Sequence, residues 1–369
     1  MVVARIAFNR RTFLQSTGLA TLGTSLSSTR SANAKDLIVG DKRWAIPKVS
    51  RDRVIRTVVG LRPLLRTGFR VETERFDAKA VIHNYGHGFR GVGMSWGTSH
   101  LAVEEAVKLG QKSFAVIGCG AVGLATGRLL QRRGFSVTIY AKDLPPNTTS
   151  NVAGAYFDPD VVPEDFGAFR DRYVRAARIS HRHFQDMVGD YYGVRWQECY
   201  DRETAESRNE NKRDLLGDLY HRKVLTPDRH PFGEFNVVRS ITMQIQTPIY
   251  LRSVMRDFRL AGGRIIVRDF SKLDDVLALP EPVVMNCSGL GARSLFGDEE
   301  LTPVKGQLTV LLPQRDVDYR GFSMFPRDDG LLLSHPANRN EFDVWSLEPN
   351  KELIEETVNR TAEFWNQFA

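Results

Sequence analysis

A chain of 369 residues, 42% hydrophobic and 26% charged, can bury one large core or two smaller ones. Its formal charge is +7, but Arg5, Arg10, Arg11 and Arg30 supply four of those charges with no acid among them. The remainder carries about +3 without a basic stripe, which predicts no nucleic-acid partner, and an odd count of three cysteines argues against a disulfide framework.

Residues 1–34 read as a leader. Asn9-Arg10-Arg11-Thr12-Phe13-Leu14 resembles the twin-arginine export motif, a mildly apolar Gly18–Leu26 segment follows, and Ala32-Asn33-Ala34 is a small-residue cleavage pattern. This predicts a periplasmic protein exported already folded. The alternative is a basic amphipathic helix on a membrane surface. The apolar run is too short and too polar for a stable membrane anchor.

After the leader, Arg53 to Gly60 alternates like a strand, and Leu61-Arg62-Pro63 is expected to interrupt it. Gly68 to Glu74 and Lys79 to His83 read as two further strands. A glycine-rich stretch from His83 to Gly97 then leads into a helix expected over His100 to Leu109. Its glycines would let the backbone approach something flat and then cap that helix.

The strongest local signal lies next. Phe114-Ala115-Val116-Ile117 is a short apolar run with the character of a buried parallel strand, and Ser136 to Tyr140 is a second. Between them Gly118, Gly120 and Gly123 stand in G-x-G-x-x-G spacing before a helix expected over Leu124 to Arg133. Such glycines make the tight turn, admit a pyrophosphate against bare backbone, and let helix pack on strand. Ala121 and Val122 would offer their N–H groups to the pyrophosphate at the helix start. Lys142 stands where an acidic ribose partner is usual, leaving Asp143 as the candidate. The loop Pro145 to Ala155 then brings Thr148, Thr149 and Ser150 as hydroxyl donors, followed by the small residues Gly154 and Ala155.

Further along, Phe166, Phe169, Tyr173, Ala177, Phe184 and Met187 recur at helical spacing. Gly193 to Trp196 and Ser240 to Gln246 are candidate strands, Pro248 to Leu260 a helix, and Arg264 to Arg268 another strand. Val283 to Arg293 repeats the strand, glycine turn and helix pattern. Short strands over Gln307–Leu312, Phe322–Pro326 and Leu331–Ser334 precede a helix over Lys351–Phe368, with Leu353, Val358, Thr361, Trp365 and Phe368 on one side. Cys119 and Cys287 read as small core fillers. The eight histidines, His181 and His183 included, show no metal-ligand spacing.

Several of these segments together resemble the D-amino-acid oxidase family of flavoproteins. Its second motif has the pattern Tyr-Ala-Asp, a proline, a Thr-Thr-Thr run and Val-Ala-Ala-Gly, close to Tyr140 through Ala155 here. An arginine-proline pair matches Arg62-Pro63, and a His-Asn-Tyr-Gly-His-Gly-Gly run matches His83 to Phe89. An Asn-Cys-Thr-Gly segment matches Asn286 to Gly289. In the family the arginine-proline and His-Asn-Tyr segments close the chain, downstream of the dinucleotide turn; here they precede it. The order implies a circular permutation, and the family would continue into its arginine-proline strand after the last helix.

The resemblance implies FAD as cofactor and oxidative deamination of a D-amino acid or related amino acid. Hydride passes to the flavin, and O2 reoxidises it to give hydrogen peroxide. Ser288, Gly289, Gly88, Gly91, Val92 and Gly93 would join the cofactor site, and Phe270 would meet the adenine end through its backbone. Arg62 would hold the substrate carboxylate. The family's tyrosine hydroxyl beside that carboxylate falls at Ser323. The chain departs from the pattern there, at Phe89 (a glycine in the family), at Gly93 (a hydroxyl), and in a short lid between Leu312 and Ser323.

The expected fold is α/β, a Rossmann-type FAD domain with a mainly antiparallel substrate domain, interleaved along the chain. Residues 35–78, 158–257 and 311–369 are assigned to the substrate domain, and 79–157 and 258–310 to the FAD domain. The implied partners are a small-molecule amino acid and O2, and a homodimer stays open. Two alternatives stand beside the oxidase: a flavin-binding protein without amino-acid oxidation, and a nicotinamide-dependent dehydrogenase.

Overall fold

A computed structural model describes residues 36–39, 42–77, 79–158, 167–204, 216–335 and 341–368. The leader expected over 1–34, and Phe166 of the expected helix, lie outside the described residues.

The front segment holds β1 (Asp36–Val39), β2 (Lys42–Ala45), β3 (Val54–Leu64), β4 (Arg70–Phe76), β5 (Lys79–Tyr85) and α1 (Gly91–Lys108). Next come β6 (Ser113–Ile117), α2 (Ala121–Arg132), β7 (Ser136–Ala141), the single turn α3 (Thr149–Val152) and α4 (Gly167–Gln185). The middle contains β8 (Val194–Arg202), β9 (Lys223–Leu225), β10 (Val237–Ile245), α5 (Thr247–Leu260), β11 (Arg264–Val267), α6 (Leu273–Leu277), β12 (Val283–Asn286) and α7 (Gly291–Phe296). β13 (Thr302–Leu311), β14 (Tyr319–Gly321), β15 (Met324–Arg327), β16 (Gly330–Ser334) and α8 (Lys351–Asn366) complete the described elements.

Among the described residues one sheet has six strands in the order β11-β7-β6-β12-β5-β4. All neighbours run parallel except β4, which pairs antiparallel with β5 at the edge. Strands covered on both faces need apolar side chains throughout, and Val81, Ile82, Phe114, Ala115, Val116 and Val284 are fully buried. Helices α1, α2, α4 and α5 pack on one face. A second apolar cluster including Tyr140, Phe270 and Val276 covers the other.

The second sheet has eight strands in the order β3-β13-β16-β15-β14-β8-β10-β9, antiparallel except for β14 beside β8. One of its faces is closed by α8 and β2, through Trp44, Tyr200, Phe232, Tyr319 and Trp365. On α8 the buried stripe is Ile354, Thr357, Val358, Thr361 and Trp365, rotated from the expected one, with Leu353 at its border.

The two sheets move three expected boundaries. β3 runs straight through Leu61-Arg62-Pro63, because Pro63 lies on an edge strand opposite Pro303, where neither residue can donate to the ladder. β4 belongs to the six-stranded sheet, so a boundary after 78 would cut the β4–β5 hairpin. β13 belongs to the eight-stranded sheet, although residues 302–310 were assigned to the nucleotide half.

Candidate functional site

The turn from β6 into α2 is built from backbone. Gly118 has φ +103°, a conformation that favours glycine, and a Cβ there would overlap the Cys287 carbonyl. A Cβ on Gly123 would overlap the Gly118 carbonyl oxygen, so this glycine seats the helix on the strand. Gly120 supplies no side-chain cap to α2, which begins at Ala121 rather than Leu124. Its Cβ would meet Ser150 Oγ at 2.9 Å, and the Ala121 N–H donates to that same hydroxyl at 3.0 Å. The start of this twelve-residue helix, with the Ala121 N–H on the Ser150 hydroxyl and the N–H groups of Val122 and Gly123 in the same first turn, fits a dinucleotide pyrophosphate.

The other predicted cofactor residues fall around this turn with differing settings. Thr148 precedes α3, and its hydroxyl donates to Asn151 Oδ1 at 2.8 Å. Thr149 is exposed, as is Asp143 two residues beyond the end of β7. Phe270 buries its ring against Tyr140 and beneath Arg268 at 4.8 Å, so only its backbone is left for a ligand. At the end of β12, Asn286 Oδ1 accepts from the Ser288 N–H at 3.2 Å and its hydroxyl at 2.6 Å. His83 on β5 holds the other end of the Asn286 amide at 3.0 Å. Gly289 has φ +60° and lies against the Pro63 ring.

The stretch expected as a glycine loop from His83 to Gly97 is mostly strand and helix. β5 continues to Tyr85, a short 3-10 turn covers Gly88–Arg90, and α1 starts at Gly91, nine residues before the expected His100. Glycines are poor helix formers, but here they permit contact. A Cβ on Gly97 would overlap the Ala176 carbonyl of α4, and one on Gly93 would press on the Tyr156 carbonyl oxygen at 3.0 Å. Gly93 therefore has a packing reason to lack the family's hydroxyl. Val92 is buried, and Gly91 has His87 as its nearest neighbour.

β3 ties these pieces together. Gly60 packs on Val152, Pro63 on Gly289, and Leu64 on Gly88, which has φ +59°. Between them Arg62 is half-buried. Its guanidinium occupies the space a Cβ on Gly306 would need, donates from Nη1 to the Lys305 carbonyl at 3.2 Å, and lies 4.9 Å from the Phe89 ring centre. Burial pulls Arg62 down from the usual guanidinium value, while the buried carboxylate of Glu341 opposes that. Glu341 pairs with His335 at 2.9 Å.

Ser323 is not beside Arg62. Phe322 and Ser323 take φ of 49° and 66° and form a two-residue hairpin turn between β14 and β15. The Phe322 ring stacks on Phe364 at 4.4 Å, and the Ser323 carbonyl accepts from the Ser334 N–H. Three strand spacings, about 14 Å, separate this hairpin from β3, far beyond a serine's reach. Phe325, two residues on, is the aromatic that meets Gly154 at 3.7 Å.

Gly154 and Ala155 lie just beyond α3, and Ala155 is held at φ 25°. Its carbonyl accepts from Ile245 N, and Arg327 Nη1 donates to the Ala153 carbonyl at 3.1 Å. Arg327 is itself buried and paired with Asp329. Phe325, Arg327, Gly306 and Glu341 were missed from sequence. Gly306 carried a usable signal, since a glycine inside a strand marks close approach of another group.

Comparison with known proteins bears on this arrangement. A family model described as FAD dependent oxidoreductase matches residues 113–369. The D-amino-acid oxidase of Dictyostelium discoideum is 30% identical over 268 residues, 69% of this chain and 73% of that protein. The D-aspartate oxidase of Homo sapiens is 27% identical over 263 residues, 67% and 74% of the two chains. Among solved structures, glycine oxidase from Geobacillus kaustophilus shares the fold with a TM-score of 0.54 at 15% identity, covering 69% of this chain and 79% of that one. L-proline dehydrogenase from P. horikoshii does so with a TM-score of 0.51 at 14% identity, covering 70% of this chain and 76% of that one.

Proposed function

Because this chain belongs to the FAD-dependent oxidoreductase family, we propose that it oxidises a D-amino acid or a closely related amino acid. FAD is the family's cofactor, which sets aside the nicotinamide-dependent alternative. The residues that would hold it are the 118–123 turn, Ser150, Gly154, Ala155 and the Ser288–Gly289 segment. Bound FAD supplies the two-electron acceptor that no side chain can provide.

The observation that carries the substrate reading is the setting of Arg62. A planar, permanently charged fork, half-buried among β3, Gly306 and Phe89, is suited to bidentate capture of a carboxylate. Phe89 lies against the fork, and one of its N–H groups is held by the Lys305 carbonyl, which fixes its orientation. The protein's task is then orientation of the substrate. The test is a panel of D- and L-amino acids assayed for hydrogen peroxide and ammonia. Turnover of D-amino acids supports the proposal, and turnover confined to L-amino acids or absent altogether ends it. A flavin-binding role without oxidation is the second reading, favoured by Phe89 over the arginine and by the distant Ser323.

Two further proposals concern the chain's organisation. A circular permutation is supported by the family match beginning at residue 113 while β3, β4, β5 and α1, all ahead of it, complete both sheets. Export by the twin-arginine route rests on residues 9–34. Replacing Arg10 and Arg11 by lysine should retain the protein in the cytoplasm, and unchanged export would refute it.

A further inference from the structure

A row of polar side chains crosses three neighbouring strands of the six-stranded sheet and ends beside the dinucleotide turn. Glu74 on β4, His83 on β5 and Asn286 on β12 are joined in that order. His83 Nε2 lies 3.0 Å from Glu74 Oε2, and His83 Nδ1 lies 3.0 Å from Asn286 Nδ2. His83 and Asn286 are register partners and fully buried, whereas Glu74 is half exposed. Polar groups at that depth are costly unless paired, and these are paired end to end. Beyond Asn286, a Cβ on Gly118 would meet the Cys287 carbonyl and then Ser288 Cα, so this strand end walls the turn.

The proton positions along the row follow from one end. The Ser288 N–H can only donate, so the Asn286 atom 3.2 Å from it is the amide oxygen, which also accepts from the Ser288 hydroxyl at 2.6 Å. The amide nitrogen therefore faces His83 and donates to Nδ1. Nδ1 must present a lone pair, which leaves a neutral ring whose one proton sits on Nε2 and is donated to Glu74. Burial pulls His83 down from the ordinary 6.5, against the opposing pull of Glu74, in keeping with a neutral ring. The rings of Tyr85 and Phe296 stand edge-on to it at 5.6 Å and 5.1 Å and hold its plane.

We infer that His83 is a positioning residue for the cofactor: held by Glu74 as the Nε2-protonated tautomer, it orients the Asn286 amide and, through it, the Ser288–Gly289 segment. A proton on Nδ1 would set two donors against each other. The amide could relieve that only by turning its oxygen away from the Ser288 N–H. The inference rests on the Ser288–Gly289 segment belonging to the cofactor site and not on amino-acid oxidation.

The test is the FAD dissociation constant, read from the flavin fluorescence released when the full-length FAD-loaded protein is diluted. His83→Asn places an amide oxygen near Nδ1 and keeps an acceptor for Asn286, so FAD should bind within about threefold of wild type. His83→Gln reaches Glu74 but takes the acceptor from Asn286, and FAD should bind about tenfold more weakly. A packing role alone predicts the reverse order, because glutamine refills more of the ring's volume. Glu74 is half exposed on an edge strand, so its variants spare the core. Glu74→Gln keeps an acceptor for Nε2 and should match wild type, whereas Glu74→Leu removes it and should weaken FAD about threefold. Equal affinity within either pair, or the reverse order, would overturn the inference. Ser288→Leu, which puts bulk into the segment itself, should lose FAD and separates two ways of failing. If it binds FAD as wild type does, the segment lies away from the cofactor and the inference falls with that assignment. If Ser288→Leu alone loses FAD, the segment is in the site and His83 does not govern it.

Discussion

Two stretches of this chain are rich in glycine, Gly118–Gly123 and Gly86–Gly97, and they differ in what the missing side chains permit. In the first, Gly118 turns the chain at positive φ and Gly120 leaves the helix start open toward Ser150. In the second, Gly93 and Gly97 are helical and let α1 touch Tyr156 and Ala176. One set of glycines shapes a turn and a helix start; the other removes space between two helices and a strand-end segment. Composition does not separate these uses. What each Cβ would strike does.

The comparison can be broken by substitution. The largest effect should come from a chain beginning at Gln111, which lacks β3, β4, β5 and α1 and so loses two strands of one sheet and an edge strand of the other. It should neither fold cooperatively nor hold FAD. Full flavin affinity would show that the front segment is an appendage. Next, Gly97→Ala drives a methyl into the Ala176 carbonyl, which is backbone and cannot swing aside. A cost of about 3 kcal/mol follows, seen as a fall in melting temperature of roughly 4 °C by circular dichroism.

Gly120→Ala sharpens the contrast. Its methyl meets only a serine hydroxyl, at 2.9 Å, so the apoprotein should melt within about 2 °C of wild type. FAD affinity, followed by fluorescence quenching, should nevertheless drop about tenfold or more, because the methyl intrudes where the phosphate approaches. Equal losses of stability in both variants would erase the distinction.

The smallest effect is a pH dependence within the second stretch. Burial pushes His87 down to about 4 from the ordinary 6.5, and its Nε2 lies 2.8 Å from Thr98 Oγ1. The unfolded chain takes up a proton first, so His87 contributes stability that is complete above about pH 6.5 and is lost as pH falls toward 4. Between about pH 7 and 5.5 this amounts to about 1 kcal/mol, and His87→Gln should flatten the slope of melting temperature in that window. An unchanged slope would mean His87 titrates normally.

Much of the six-stranded sheet was legible from sequence, because strands buried on both faces read as unbroken apolar runs between glycines. The 118–123 turn was legible for the same local reason. The start of α1 was not: glycine hides a helix whose stability comes from contact with Ala176, remote in sequence. Pro63 suggested a break because an edge strand cannot be recognised before its partners are known. The Phe322–Ser323 turn lacks the Asn-Gly signal of its class, so Ser323 was placed on a strand and beside Arg62. The setting of Arg62 depends on Gly306, distant in the chain, and on a phenylalanine where the family pattern has glycine.

That setting is the centre of the proposed activity, and one spectroscopic comparison tests it. Wild-type protein and Arg62→Ala, both carrying FAD, are mixed with benzoate and, separately, with a D-amino acid in the absence of oxygen. The wild-type flavin spectrum should shift with benzoate and bleach with the amino acid. In Arg62→Ala the flavin should remain bound, the benzoate shift should vanish, and catalytic efficiency should fall about 30-fold or more, as expected for losing a charged bidentate partner worth roughly 2–5 kcal/mol. A wild-type flavin that responds to neither ligand, or an Arg62→Ala protein that responds to both as wild type does, would contradict the account.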